Sequence, residues 1–212
     1  MSTPCVTILM AVYNGVPYLA QAIESMLAQT FADFEFLIVD DASTDGTPDV
    51  LASYADPRIR RLHNETNRGL AFSLNLGLAE ARGAYIARMD ADDVALPHRL
   101  ATQVAYLEAH PEIGVLGAEM LIITATGKAK GRYTVPHTHG GILWRLFFAN
   151  PMAHPTIVCR ASVLREASGY DPSLRASQDK ELWVRLIGRT RFANLADPLQ
   201  RYRRHSLAVW SQ

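Results

Sequence analysis

Cysteine is nearly absent: Cys5 and Cys159 are the only two in 212 residues, and no CxxC or HExxH occurs. That excludes a disulfide framework and a thiolate zinc site, and it suits a reducing compartment. No apolar run approaches the roughly 20 residues needed to span a bilayer. The first apolar stretch, Val6–Tyr13, is short and has no Lys or Arg before it, so it does not read as a signal peptide. There is no GxxxxGK(S/T) loop and no GxGxxG, which removes two glycine-rich phosphate cradles. Net charge is also missing. Lys+Arg and Asp+Glu both number 21, so a basic footprint for nucleic acid is not expected.

What is present is ordinary globular composition, 49% apolar and 20% charged, in a length that suits one domain. The charge is unevenly placed. Residues 1–50 carry Glu24, Asp33, Glu35, Asp40, Asp41, Asp45 and Asp49 and no Lys or Arg, whereas residues 151–212 are rich in arginine.

The first half alternates between two periods. Val6–Val12 is an apolar run broken only by Thr7, as expected of a strand buried on both faces, and Phe34–Val39 reads as a second buried strand. Ile59–His63, Tyr85–Met89 and Ile113–Met120 read as further strands. Helical spacing links Tyr18 to Leu27, Leu70 to Ala81 and Pro97 to His110, and Thr47-Pro48 reads as a cap followed by a first-turn proline. Strand and helix in alternation imply right-handed crossovers and a mostly parallel sheet. The second half is less regular. Gly127–Thr134 reads as a hairpin or loop, Ile142–Phe148 as a short helix, Thr156–Arg160 as a strand, Asp179–Ile187 as a helix and Leu199–Arg203 as a last strand.

In such sheets ligands bind beyond the carboxyl ends of the strands, where Asp40, Asp41, Asp90, Asp92 and Asp93 all fall. Asp90-Ala91-Asp92-Asp93 places three carboxylates in four residues. A divalent cation with oxygen ligands offsets that repulsion; a solvated acidic turn before a helix is the alternative. Asp41, in Asp40-Asp41-Ala42-Ser43-Thr44-Asp45-Gly46-Thr47, suits either a contact to the N3–H of a pyrimidine base or a turn. Asp179 suits either a general base or an acid favoured by a helix N-terminus. His154 reads as a packed or surface residue rather than a ligand. Arg201, Arg203 and Arg204 beside His205 suit either a diphosphate or a solvated basic tail.

Together these residues resemble the family 2 glycosyltransferases, inverting enzymes of the GT-A fold. The likeness runs through Ala11-Val12-Tyr13-Asn14, Gln29-Thr30-Phe31, Val39–Thr47, Asn67-Arg68-Gly69, Ala81-Arg82-Gly83, Asp90–Asp93 with Pro97 and Arg99, His154-Pro155-Thr156, Gln178-Asp179 with Leu182-Trp183, and Tyr202-Arg203 with His205. It implies a GT-A, Rossmann-like α/β fold in a single domain: a nucleotide-sugar-binding half over 1–119 and a smaller acceptor-side half over 120–212. It implies a nucleoside-diphosphate-sugar donor, UDP- and next dTDP-linked, with Ala11, Tyr13, Asp41, Asn67 and Asp90 binding the nucleotide. Asp92 and His205 are implied ligands of Mn²⁺ or Mg²⁺, and Asp179 the base that deprotonates the acceptor. Gln178 stands where the family usually has Glu, which removes one negative charge beside Asp179. A glycan or lipid-linked acceptor and a cytoplasmic setting, at or near the inner face of the membrane, are implied too. Peripheral membrane association and oligomeric state stay open.

Other classes fit less well. A haloacid-dehalogenase-type phosphatase places its DxD after the first strand, not the fourth. A nucleotidyltransferase calls for a basic glycine-rich loop, and Tyr13-Asn14-Gly15-Val16-Pro17 has no basic residue. A non-catalytic nucleotide-sugar-binding subunit of a glycan assembly complex is the remaining alternative.

Overall fold

The computed structural model describes residues 3–205. Strand β1 (Val6–Val12) is buried except at half-buried Ala11. A run without polar alternation needs cover on both faces, and neighbours supply it. Strands β2 (Phe34–Asp40), β3 (Ile59–His63) and β4 (Tyr85–Met89) lie parallel in the order β3-β2-β1-β4. Helices α1 (Leu19–Leu27), α2 (Thr47–Ala52) and α3 (Leu70–Glu80) are the connections. Alternate strand residues point to opposite layers. Ile8, Met10, Phe36 and Ile38 join α1 and helix α4 (Arg99–Ala109) in one core, while Leu9, Leu37 and Val39 join α3 in the other. Gly83 lets the chain enter β4 beside β1: a Cβ there would lie 2.3 Å from the Thr7 backbone nitrogen.

The remaining elements extend the sheet. They are β5 (Val94–Ala95), β6 (Ile113–Thr124), β7 (Ala129–Tyr133), helix α5 (His139–Leu146), a single 3₁₀ turn at His154–Thr156, β8 (Val158–Arg160), α6 (Ala161–Glu166), α7 (Gln178–Arg185) and β9 (Arg191–Arg204). The order continues β4-β8-β6-β9-β5, with β7 hairpinned onto β6. Strands β1–β4, β6 and β9 run one way, and β5, β7 and β8 run against them. The expected mostly parallel α/β sheet is therefore the one found.

Several boundaries differ from the sequence reading. β9 begins eight residues before the expected Leu199, pairing with β6 through register shifts at Ala118–Met120. Thr47 does not cap α2: its hydroxyl accepts from Gly15 N–H at 2.9 Å, and Gly46 holds the cap position. Position 120, where the sequence divides into halves, falls inside β6.

Candidate functional site

The carboxyl ends of β1 and β2 are tied together first. Asp41 N–H donates to the Val12 carbonyl. Asn14, held in a left-handed conformation at φ 54°, accepts through Oδ1 from the backbone N–H of Thr44 at 2.8 Å and of Asp45 at 3.3 Å. Asn14 N–H in turn donates to Ser43 Oγ. The loop after β3 closes onto the same place. Asp41 Oδ1 accepts from Asn64 Nδ2 at 2.6 Å and Arg68 N–H at 2.9 Å, and Oδ2 accepts from Gly69 N–H at 2.8 Å. Gly69 has φ +87°, a conformation L side chains rarely adopt, and so presents that N–H. Asp41 is buried, whereas Tyr13 and Asn67 are exposed and Ala11 is half-buried. The structure thus brings the loops carrying Ala11, Tyr13, Asp41 and Asn67 together. A carboxylate offers about four acceptor directions, and three at Asp41 are filled.

The second cluster lies beyond β4. Asp90 Oδ1 pairs with Arg88 Nη2 at 2.5 Å. Asp93 is fully buried and accepts from Gln200 Nε2 at 2.7 Å and Arg203 N–H at 2.9 Å. Asp92 Oδ2 lies 2.8 Å from His205 Nε2, which β9 delivers from the end of the described chain. Burial pushes the Asp92 carboxyl up, and the charge of Asp90 adds to this. Burial raises Asp93 further, with Asp90 and Asp92 contributing.

Arg203 corrects one expectation. Its side chain donates to the carbonyls of Asp92 and Ala125 and to Gln21 Oε1, and it lies over the Tyr18 ring. It bolts the acidic turn to the last strand and does not face a diphosphate.

Among the described residues, no group of three or more His, Cys, Asp or Glu is arranged to hold a metal. Asp92 and His205 provide two oxygen- and nitrogen-type donors. Mn²⁺ and Mg²⁺ accept such donors and fill the rest of their shell with water and substrate phosphates. The raised Asp92 and Asp93 carboxyls, with Asp90 beside them, are the features a cation would relieve, so the residues fit one.

Asp179 stands at the start of α7, after Ser177 at φ 60°. It is 5% exposed. Oδ2 accepts from Asn150 Nδ2 at 2.5 Å and Oδ1 from Lys180 N–H at 2.8 Å. Burial pushes this carboxyl above its ordinary value. His154 is packed in the interior: its Nε2 meets the Tyr170 hydroxyl at 2.9 Å, and burial holds the ring well below its usual pKa.

Arg88 was missed by the sequence reading, as were Asn64 and Asn150. Arg88 is 3% exposed in the middle of β4. Its Nε and Nη1 have no partner among the described residues, and its charge favours the ionised form of Asp179 and the neutral form of His154. The signal was there to see: a lone Arg inside a strand otherwise buried on both faces needs a charge partner. Arg99 is buried below it, donating to the Arg88 carbonyl and to Gln200, and burial pushes its pKa down to about 9.

The sequence pattern described as Glycosyl transferase family 2 matches residues 7–166. The chain belongs to that family. EpsE of Bacillus subtilis (strain 168) is 39% identical to this glycosyltransferase over 211 residues, which are 97% of this chain and 75% of EpsE. The O-antigen biosynthesis glycosyltransferase WbnJ of Escherichia coli is 31% identical over 95% of this chain and 80% of its own. Among solved structures, S. aureus TarS 1-349 in complex with UDP-GlcNAc superposes with a TM-score of 0.81 at 21% identity, over 98% of this chain and 60% of that one. Mannosyltransferase PcManGT from Pyrobaculum calidifontis, in complex with GDP-Man and Mn²⁺, gives 0.70 at 21% identity, over 93% and 56%. The glycosyltransferase has the GT-A fold of these structures, and it spans about three fifths of their length.

Proposed function

We propose that this glycosyltransferase moves a sugar from a UDP-linked donor, or next a dTDP-linked one, to an acceptor hydroxyl with inversion, in the assembly of a polysaccharide or surface glycan. The observation that carries the reading is Asp179: a buried carboxylate with a raised proton affinity, held by Asn150 and lying within the field of the same arginine that pairs Asp90.

In this reading Asp41 uses its remaining acceptor direction for the base N3–H, between Tyr13 and Asn67, with Ala11 flooring the pocket. Asp90 reaches the ribose. Asp92 and His205 would hold Mn²⁺ or Mg²⁺, which when bound supplies Lewis-acid stabilisation of the departing diphosphate. The acceptor oxygen forms its bond to the anomeric carbon on the face opposite the diphosphate, and the bond to the diphosphate breaks. Asp179 takes the acceptor proton, and Asn150 and the Lys180 N–H keep its carboxylate aimed. The division of labour into a donor half over 1–119 and an acceptor half over 120–212 belongs to this proposal, as do a cytoplasmic setting and a lipid-linked or glycan acceptor. Among the described residues no helix is long and apolar enough to cross a membrane.

Asp179→Asn tests the reading. Transfer is expected to fall by about 10²–10⁴-fold, the contribution of a positioned base, while donor affinity stays close to wild type. Transfer near the wild-type rate would remove Asp179 from the chemistry. UDP binding by the wild-type protein without transfer or donor hydrolysis would favour a non-catalytic subunit.

A further inference from the structure

Arg88 places a full charge inside a central strand. Successive strand residues point to opposite layers. Ala87 and Met89 pack toward α1 and α4, whereas Ile86, on the same side of β4 as Arg88, packs in the layer that holds Tyr170, Leu182 and Trp183. Helix α7 supplies Leu182 and Trp183, and Asp179 stands one turn before Trp183 on the same side of that helix. Arg88 and Asp179 therefore face one layer, the first from the sheet and the second from the helix.

The contacts of neither residue balance its charge. Arg88 Nη2 meets Asp90, whose side chain is 29% exposed and shared with solvent, and Arg88 Nε and Nη1 have no partner among the described residues. Asp179 is met by two neutral donors, Asn150 Nδ2 and the Lys180 N–H, and among the described residues by no cation within ion-pair distance. A buried charge without an opposite one is costly, and where water is scarce opposite charges act over longer distances. The other titratable groups of the layer do not compete: burial keeps His154 neutral and pushes the Cys159 thiol and the Tyr170 phenol far up. On α7 itself Glu181 pairs with Arg185, and the Lys180 side chain lines the outer face with Glu181 and Val184.

We propose that Arg88 is a positioning residue shared by two acids, a single buried cation that holds Asp90 and serves as counter-ion to Asp179. At Asp90 it fixes a carboxylate at the strand end. At Asp179 it favours the ionised form, the one able to accept a proton. Because both acids draw on one charge, removing the Asp90 charge leaves more of it for Asp179. The consequence for sugar transfer rests on the reading of Asp179 given above; the pairing of charges does not.

The test is a carbon-13 NMR titration of the aspartate carboxyls in the 212-residue protein, with the Asp179 signal identified by its absence from Asp179→Asn. Arg88→Met should raise the pH at which Asp179 titrates by roughly one pH unit, the lower end of what a nearby opposite charge contributes. Arg88→Lys, which keeps the charge, should restore most of the difference. Asp90→Asn, which keeps Arg88 and frees its charge, should move the titration the other way. An unchanged Asp179 titration in Arg88→Met overturns the proposal. So does Arg88→Lys titrating like Arg88→Met, because packing rather than charge would then be at work. Should Arg88→Met fail to fold, Asp90→Asn decides, and a titration at or above the wild-type pH overturns the proposal. The acid limb of UDP-GlcNAc hydrolysis with Mn²⁺, measured on the same variants, tests the base separately. A limb that moves with the Asp179 signal supports both readings. A signal that moves while the limb stays keeps the counter-ion and removes Asp179 from the chemistry.

Discussion

The Asp41 pocket and the cluster from Asp90 to His205 both collect acids at strand ends, but they are assembled differently. Around Asp41 every contact joins segments that lie between Val12 and Ser73, and most donors are backbone N–H groups fixed by turns. Around Asp92 and Asp93 the partners come from β9, more than a hundred residues away, and two of the three carboxyls are pushed up by burial. Where backbone donors saturate a carboxylate, its negative charge is provided for by the fold. Where acids crowd without them, the fold leaves charge for something else to neutralise. The first arrangement suits a fixed contact to a base, and the second suits a cation that arrives with the donor.

Perturbing each region should separate the two. Asp41→Ala is expected to have the largest effect in the first. It removes one of the two acceptors of Asn64 Nδ2 and the carboxylate that accepts from the Arg68 and Gly69 N–H groups, at about 1–3 kcal/mol for each hydrogen bond to a charged group that is lost. Melting should therefore fall along with UDP affinity, and Asp41→Asn should recover part of the melting loss. His205→Ala should instead leave melting nearly intact and weaken Mn²⁺-dependent UDP binding by at least roughly 10–100-fold, the scale on which even the loss of an outer partner weakens a metal site. Titration calorimetry with Mn²⁺ and with EDTA reads this. Equal UDP affinity in both, for the wild-type protein, would erase the proposed contrast. Thr47→Val removes the acceptor for Gly15 N–H and should cost about 1 kcal/mol in denaturant unfolding, with little change in turnover.

The smallest effect concerns pH. Asp179 must be ionised to accept a proton, and burial raises its pKa, so transfer should fall as the medium is acidified through that raised value. Asn150 donates to the ionised form and aims it, so Asn150→Ala should move the acid limb to higher pH and lower the plateau rate as well. Linkage gives the sign for stability. A carboxyl whose pKa is raised by folding stabilises the fold below its unfolded pKa and loses that contribution as pH rises through the folded one. Asp179→Asn should therefore not lower the melting temperature at neutral pH.

The legible part of the sequence follows the same division. β1, β2 and β4 were readable because short, mainly apolar runs end at turns, and Asp41 and Asp90–Asp93 were visible because they follow those runs. β9 was not fully legible. Asp197-Pro198 interrupts its pattern, its arginines resemble a solvated tail, and register shifts at Ala118–Met120 accommodate the break. The packing of Arg203 against Tyr18 and the acidic turn could not be foreseen from that stretch. Nor could the pairing of Asn150 with Asp179, since neither residue's neighbours predict a contact across a less regular region.

The reach of β9 also sets an order of events during synthesis. Chains emerge N-terminus first, and contacts between distant segments form late. The strands from β1 to β4 and the whole Asp41 pocket are complete in sequence before residue 90. Asp93, by contrast, waits for Gln200 and Arg203, and Asp92 waits for His205. A growing chain therefore holds a finished Asp41 pocket beside an acidic turn that is not yet locked. The acidic turn is locked only as β9 is laid down.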